Sequence, residues 1–101
     1  MPPALPRVSD KESLILDLLV ANGEMYGLEL VSRSRRRLKR GTVYVTLARM
    51  EEKDLVRSRL DDAPPPGGGL PRRRYQPTAH GLRIWQAWAQ VARFLNLEPA
   101  P

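Results

Sequence analysis

The chain has 101 residues, the length of one domain, and its hydrophobic fraction of 42% is typical of a globular protein rather than a disordered one. It contains no cysteine, which excludes disulfides and thiolate zinc sites. The net charge of +6 is concentrated in residues 33–74, where 13 Lys and Arg face 5 Asp and Glu, whereas the remaining residues hold 4 and 6. Such a cationic middle segment indicates a polyanionic partner.

The first two predicted elements are helices. Residues 1–8 are expected to form a flexible arm, since this Pro-rich start lacks the apolar core of a signal peptide. Ser9 and Glu12 have the spacing of a capping box, and the apolar residues after them predict a helix over about 10–21. A second helix is predicted from Met25 to about Arg36. Because the longest apolar stretch is too short to span a bilayer, we expect a cytoplasmic protein with no membrane partner.

A basic run precedes the third predicted helix. Six of the eight residues 33–40 (RSRRRLKR) are Lys or Arg, a pattern that fits either a solvated surface or a phosphate-binding one. Thr42 is predicted to be the N-cap of the helix that follows. Spacing at i, i+4 and i+7 predicts a buried stripe of Val43, Leu47 and Met50. The opposite face carries Tyr44, Thr46, Arg49 and Lys53.

A hairpin and a last helix complete the predicted elements. Residues 55–60 alternate like a strand, residues 72–77 are predicted to return beside them, and the Pro- and Gly-rich segment 61–71 forms the tip between them. Thr78 is expected to cap a helix over about 79–95. Its two apolar rows exceed what one small domain covers, which indicates a homodimer. The predicted dimer interface is Leu82, Ile84, Trp85, Trp88, Val91, Ala92 and Leu95.

The order helix, helix, helix, hairpin, helix predicts a mainly α fold with a small β-hairpin. We interpret it as a winged helix-turn-helix domain over residues 9–78, a C-terminal dimerisation helix over 79–96 and a tail over 97–101. In this fold the third helix lies in the major groove of DNA and the hairpin touches the backbone or the minor groove. The predicted DNA-binding residues are Arg35, Arg36, Arg37, Lys39, Arg40, Thr42, Tyr44, Thr46, Arg49, Arg72, Arg73 and Arg74.

Two of these residues have distinct predicted roles. Arg49 is the best candidate for a bidentate contact to guanine, because its guanidinium lies on the outer face of the third helix. For Tyr44 two roles stay open: its hydroxyl meets a phosphate, or its ring packs beneath the loop.

Four segments resemble, in order, the motifs of the PadR-type transcriptional regulators. Residues 14–19 (LILDLL) match the opening helix, and residues 25–30 (MYGLEL) resemble the signature of the second helix. Residues 41–51 (GTVYVTLARME) resemble the recognition motif Gly-Ser/Thr-Leu-Tyr-Pro-x-Leu-x-x-Leu-Glu. Residues 73–81 (RRYQPTAHG) resemble the stretch that leads to the family's Tyr-x-Leu-Thr-x-x-Gly after the wing, which is the hairpin of residues 55–77. The resemblance covers about residues 13–88, and the short C-terminus is typical of the compact branch of the family.

Three positions depart from the family pattern. Val45 stands where the family usually has Pro, and Leu28 replaces the usual aromatic residue after Gly27. Asp54 occupies a position that is usually Gly, at the exit of the third helix. Because Asp tolerates the left-handed conformation better than most residues, we expect this turn to be kept.

These observations predict a sequence-specific regulator of transcription, acting as a repressor at the bacterial nucleoid. Its expected partners are a second copy of the chain and double-stranded DNA with two related half-sites. No cofactor, metal or catalytic group is indicated, since the only histidine, His80, has no evident partner. Two alternatives stay open. One is a sensor that binds a planar or phenolic effector at the dimer interface, as the resemblance implies; the other is a winged-helix adaptor that binds an acidic protein.

Overall fold

The computed structural model describes residues 6–95, which form four helices and a small sheet. The elements are α1 (Asp10–Asn22), β1 (Met25–Tyr26), α2 (Gly27–Arg33), α3 (Arg40–Glu52), β2 (Val56–Leu60), β3 (Arg73–Pro77) and α4 (Ala79–Phe94). The predicted tail and most of the predicted arm lie outside the described residues. Within residues 6–95, no helix is long and apolar enough to cross a membrane.

Two of the three predicted helix caps, Ser9 and Thr78, are confirmed. Ser9 Oγ accepts a hydrogen bond from the Glu12 N–H at 3.2 Å, and the Glu12 carboxylate accepts one from the Ser9 N–H at 2.9 Å. At the start of α4, Thr78 Oγ1 accepts from the Gly81 N–H at 2.8 Å. Each cap satisfies N–H groups that have no partner inside the helix, which explains why α1 and α4 begin where the sequence predicts.

The sheet has a third strand that the sequence analysis missed. Strand β3 lies between β2 and β1, and both pairings are antiparallel. Met25 lies opposite Tyr75 and Tyr26 opposite Arg74, so the prediction of a helix beginning at Met25 is wrong. Met25 is buried opposite Tyr75, and this burial holds Met25 and Tyr26 in an extended conformation. A two-residue strand is too short to produce a recognisable alternation.

The end of α2 and the start of α3 also differ from the prediction. Helix α2 ends at Arg33 rather than near Arg36, because Arg35 and Arg36 adopt φ values of 54° and 72°, which a right-handed helix excludes. Helix α3 begins at Arg40, with Lys39 in the N-cap position. Thr42 therefore lies in the first turn, where its hydroxyl donates to the Lys39 carbonyl at 3.4 Å, and it is not the N-cap.

The exit of α3 keeps the turn expected there. Asp54 has a φ of 59°, in the left-handed region, as predicted for a residue at a position that usually holds Gly. The Asp54 carbonyl accepts a hydrogen bond from the Thr78 hydroxyl, which joins this turn to the cap of α4.

The core decides which face of α3 stays outside. The predicted stripe of Val43, Leu47 and Met50 is confirmed, since all three side chains are fully buried. Every element contributes to this core, which consists of Ile15, Leu16, Leu19, Met25, Leu30, Leu38, Val43, Leu47, Met50, Leu55, Val56, Tyr75 and Ile84. The opposite face of α3 is consequently directed to solvent.

Candidate nucleic-acid interface

The outer face of α3 presents polar and cationic side chains. Thr42, Tyr44 and Arg49 are exposed, and Thr46 is half-buried. Val45, which is not among the predicted DNA-binding residues, is also exposed, between Tyr44 and Thr46. Within residues 6–95, no carboxylate lies within ion-pair distance of Arg49. Its guanidinium therefore keeps its five donors for an external acceptor.

The loop before α3 holds the basic run in a defined conformation. Ser34 is buried; its hydroxyl donates to the Val31 carbonyl at 2.7 Å and accepts from the Leu38 N–H at 2.9 Å. Leu38 is buried as well, so the loop is anchored at both ends. The loop cations, which lie between these anchors or directly after Leu38 as far as the first residue of α3, are all exposed: Arg35, Arg36, Arg37, Lys39 and Arg40.

Two of these arginines lie in a costly backbone conformation. A left-handed φ costs a residue with a Cβ about 1–2 kcal/mol, and Arg35 and Arg36 both adopt it. Strained residues of this kind are concentrated at functional sites. Within the described part of the chain, none of the five loop cations pairs with a carboxylate. The loop is thus a strained, unpaired cationic surface next to the start of α3.

Tyr44 packs against α2 with part of its ring. A Cβ placed on Gly27 would lie 2.6 Å from Tyr44 Cε1, so the ring rests on the first residue of α2. The side chain is nevertheless 47% exposed, in a cleft that it lines together with Arg72 and Arg73 of the wing. Two roles were considered for Tyr44, a phosphate contact and packing. Its ring does pack, with Gly27 of α2 as the contact, and the exposed part of the ring faces solvent.

The three arginines of the wing differ in their surroundings because side chains alternate along a strand. Arg73 donates to Ser58 Oγ at 3.1 Å, on the side where Ser58 donates to Glu51 at 3.3 Å. Arg74 instead donates from Nε to Asp61 Oδ1 at 2.7 Å. Arg72 Nε lies 4.0 Å from the other oxygen of Asp61.

Tyr26 completes the cluster around Asp61. Its hydroxyl donates to Asp61 Oδ2 at 2.7 Å, and the guanidiniums of Arg72 and Arg74 lie 4.1 and 4.8 Å from the centre of its ring. The hydrogen bonds from Tyr26 and Arg74 hold the pKa of Asp61 below its ordinary value. This cluster was not predicted from the sequence, because Tyr26 and Asp61 are 35 residues apart and meet only when β3 pairs with both β1 and β2.

The sequence of residues 15–87 matches the transcriptional regulator PadR-like family. The chain belongs to this family. This match confirms the resemblance found from the four motifs and identifies the sheet and helices as a winged helix. No sequence among the curated proteins matches the chain.

Solved structures agree with membership of the PadR-like family. A PadR family regulator from Clostridium difficile R20291 is 32% identical, with a TM-score of 0.74 over 87% of this chain and 92% of that one. A PadR family regulator from Eggerthella lenta is 28% identical, with a TM-score of 0.66 over 82% and 71%. NadR in complex with 4-hydroxyphenylacetate is 21% identical, with a TM-score of 0.66 over 88% and 59%, and shares the fold alone.

Helix α4 of this PadR-like protein divides its apolar residues between the core and the surface. Ile84 is only 7% exposed and belongs to the core of the protomer, which leaves it little surface for a partner. Leu82, Trp88 and Leu95 are exposed, while Trp85, Val91 and Ala92 are half-buried. Phe94, which the sequence analysis left out, is 89% exposed at the end of the helix.

The two tryptophans of α4 have different neighbours. Trp85 packs against the core, and its indole N–H donates to Asp17 of α1 at 2.8 Å. Trp88 is 38% exposed, and its indole N–H donates to the Pro6 carbonyl at 3.0 Å. Part of the predicted arm therefore contacts α4, and Trp88 presents more surface outward than Trp85 does.

An ion pair between the buried Glu12 carboxylate and the exposed Lys53 side chain joins α1 to the C-cap of α3. Lys53, predicted on the outer face of α3, donates to both oxygens of Glu12 at 2.9 Å. Burial alone raises the pKa of Glu12, but the hydrogen bonds from Ser9 and Lys53 outweigh it and hold this pKa below its ordinary value. Glu12 thus belongs to the cap of α1 and also binds the residue that follows α3.

Proposed function

We propose that this PadR-like regulator binds double-stranded DNA sequence-specifically, with α3 in the major groove, and acts as a repressor. One observation carries the proposal: six exposed cations on the loop and α3 have no carboxylate partner within residues 6–95. They are Arg35, Arg36, Arg37, Lys39, Arg40 and Arg49. Exposed unpaired cations beside a projecting polar helix supply the affinity for phosphates that DNA binding requires.

The residues of this surface take different roles in the proposal. Arg49 reads guanine, since its exposed side chain leaves the outer face of α3 in the last turn of the helix, and its guanidinium can make the bidentate contact that guanine accepts. Thr42, Tyr44 and Thr46, which precede Arg49 in α3, contact base edges or phosphates nearer the start of the helix. The loop cations hold the backbone, as do Arg72, Arg73 and Arg74 of the wing, and thereby fix the register of α3.

The proposed DNA-binding unit is a homodimer formed through α4. Trp88, Val91 and Leu95 lie at i, i+3 and i+7 on one side of α4, where Trp88 and Leu95 are exposed and Val91 is half-buried; a second copy covers this apolar surface by presenting the same surface in return. A two-fold dimer requires two related half-sites about one helical turn apart, or a multiple of it. A dimer that occupies such an operator blocks other proteins from it, which is the simplest route to repression.

The test combines the selection of DNA binding sites with a variant that removes a positive charge and does not strain the backbone. Binding sites are selected from a random duplex pool, and affinity for the selected site is measured at several salt concentrations. Arg36→Gly removes a cation while glycine accepts the left-handed φ, so we expect a melting temperature no lower than that of the unmodified chain and a log–log salt slope lower by about one unit. Arg83→Ala, an exposed arginine on α4, is the control with the same change of charge.

Two outcomes would contradict the proposal. The first is that the unmodified chain selects no duplex sequence. The second is that Arg36→Gly and Arg83→Ala reduce the salt slope equally, because the loop would then hold no special position on DNA. Binding to polyglutamate without binding to duplex DNA favours the protein-binding adaptor instead.

A second candidate function, binding of a planar or phenolic effector, is favoured by the exposed indole of Trp88 on the proposed dimer surface. NadR, which shares the fold, binds 4-hydroxyphenylacetate. The test is a titration with this compound, monitored by tryptophan fluorescence. Saturable quenching that is lost in Trp88→Phe supports an effector site, and quenching that stays linear in both proteins excludes it there.

A further inference from the structure

The carboxylate of Asp61 lies where the wing of this protein gathers its donors. Tyr26 Oη and Arg74 Nε each donate to it at 2.7 Å, and Arg72 Nε lies 4.0 Å away. Its side chain is only 14% exposed although it follows the end of β2. The donors around Asp61 are arranged as they would be around a bound anion, and here the anion is the carboxylate of Asp61 itself.

The donors around Asp61 are the kind that bind phosphate. A guanidinium gives charge-assisted hydrogen bonds to carboxylate and phosphate oxygens with the same geometry. The Tyr26 ring lies under both guanidiniums, at 4.1 Å from Arg72 and 4.8 Å from Arg74, and supports them independently of Asp61. The site therefore keeps its donors in place when the carboxylate leaves.

Arg73 differs from Arg72 and Arg74 because it has no carboxylate partner among residues 6–95. Its nearest hydrogen-bond partner is the neutral Ser58 hydroxyl, and no carboxylate in residues 6–95 lies within 4.0 Å of its guanidinium. One of the three successive arginines is thus available to DNA at once, whereas Arg72 and Arg74 are held against Asp61. Glu24 adds a weaker attraction on Arg74 at 4.0 Å.

We propose that Asp61 is a built-in competitor of the DNA backbone, whose carboxylate occupies the position that a phosphate takes when Arg72 and Arg74 contact DNA. This inference rests on the proposed DNA binding and specifies how the wing takes part in it. Exchange of one anion for another means that these two arginines add little net affinity in the unmodified protein. Because non-specific binding is almost wholly electrostatic, the competitor lowers it most.

The experiment compares two neighbouring carboxylates. Asp61→Asn and Asp62→Asn make the same change of charge one residue apart, and of these two carboxylates only Asp61 lies within 4.0 Å of Arg72 and Arg74 in the described structure. Affinity for the selected duplex and for a random duplex of equal length is measured over a range of salt. Tyr26→Phe removes one hydrogen bond to Asp61 without changing the charge.

For Asp61→Asn we expect binding to the random duplex to tighten by about 3- to 10-fold near 0.1 M salt, with a log–log slope steeper by up to about two units. Asp62→Asn should change affinity by less than about twofold. Tyr26→Phe should fall between them. Adding Arg72→Ala and Arg74→Ala to Asp61→Asn should remove the gain, because the released cations are then absent.

Equal effects of Asp61→Asn and Asp62→Asn would overturn the proposal, because the gain would then reflect net charge alone. Weaker binding by Asp61→Asn at an unchanged melting temperature would also overturn it. If Asp61→Asn lowers the melting temperature, Tyr26→Phe decides, since it keeps the carboxylate: no tightening in that variant overturns the proposal. Failure of all variants and of the unmodified chain to bind duplex DNA contradicts the proposed function itself.

Discussion

The ring of Tyr44 lies against Gly27 and occupies the space that a side chain would need there. A Cβ on Gly27 would lie 2.6 Å from Tyr44 Cε1 and 2.9 Å from the phenolic oxygen. The contact joins the first residue of α2 to the first turns of α3, the two helices of the DNA-binding motif. It orients a ring that is still 47% exposed on the proposed DNA surface.

Gly27→Ala should therefore move Tyr44 without unfolding the protein. The ring is the end of a side chain that can turn outward, and alanine is the better helix former, so stability should change by about 1 kcal/mol or less. DNA affinity should fall to that of Tyr44→Ala. Melting temperature and duplex affinity, measured on both variants, check this. Unchanged affinity in Gly27→Ala would show that the position of the ring is unimportant.

Gly81→Ala is the contrasting substitution. A Cβ there would collide with the carbonyl oxygen and carbonyl carbon of Leu55, which are backbone atoms. Since this backbone cannot turn aside, α4 must shift, and we expect a loss of about 1–3 kcal/mol in the free energy of unfolding. Denaturant unfolding checks this. Equal stability of Gly27→Ala and Gly81→Ala contradicts the distinction between a yielding side chain and a fixed backbone.

Arg49→Ala and Arg37→Ala should separate base reading from backbone contact. Loss of a bidentate contact to guanine costs about 1–3 kcal/mol on the selected site and relaxes the preference at one base pair. Arg37→Ala should weaken binding to all sequences alike. The measurement is affinity for the selected site, its single-base variants and random duplex. Equal losses on selected and random DNA for Arg49→Ala would identify it as another phosphate contact.

Trp88→Ala and Trp85→Ala should affect different equilibria. Trp88 is the more exposed of the two, so Trp88→Ala combined with Val91→Asp should reduce the sedimentation mass from dimer to monomer. Trp85 packs against the core and bonds Asp17, so Trp85→Ala should lower the free energy of unfolding by about 2–4 kcal/mol. A monomeric unmodified chain at micromolar concentration contradicts the proposed interface.

Protonation of Glu12 should lower the free energy of unfolding in acid. Its pKa lies below the ordinary value of 4.5 in the folded chain, so the unfolded chain binds the proton first. The stabilisation is complete well above pH 4.5 and is lost as the pH falls through the folded pKa. Glu12→Gln should lower stability at pH 7 by about 1–3 kcal/mol and flatten the acid limb. Denaturant unfolding from pH 7 to pH 3 checks this; an identical acid limb in Glu12→Gln contradicts the assignment.

Short-range features could be predicted from the sequence because their causes are local. The caps at Ser9 and Thr78 act over three residues, and the buried stripe of α3 follows from the period of the helix. Asp54 took the left-handed conformation expected from its short polar side chain. The family resemblance was equally accessible, since its motifs are continuous segments.

Other features depended on partners distant in the chain. Met25 and Tyr26 favour a strand over a helix only because β3 offers them hydrogen bonds and the core accepts Met25. Residues 72–74 read as one cationic cluster, yet the alternation of β3 and the position of Asp61 separate Arg73 from its neighbours. Ile84 was assigned to a partner surface but packs inside the protomer. The periodicity of the sequence predicts on which face of a helix or strand a residue lies. Which partner that face contacts is decided by how the helices and strands pack together.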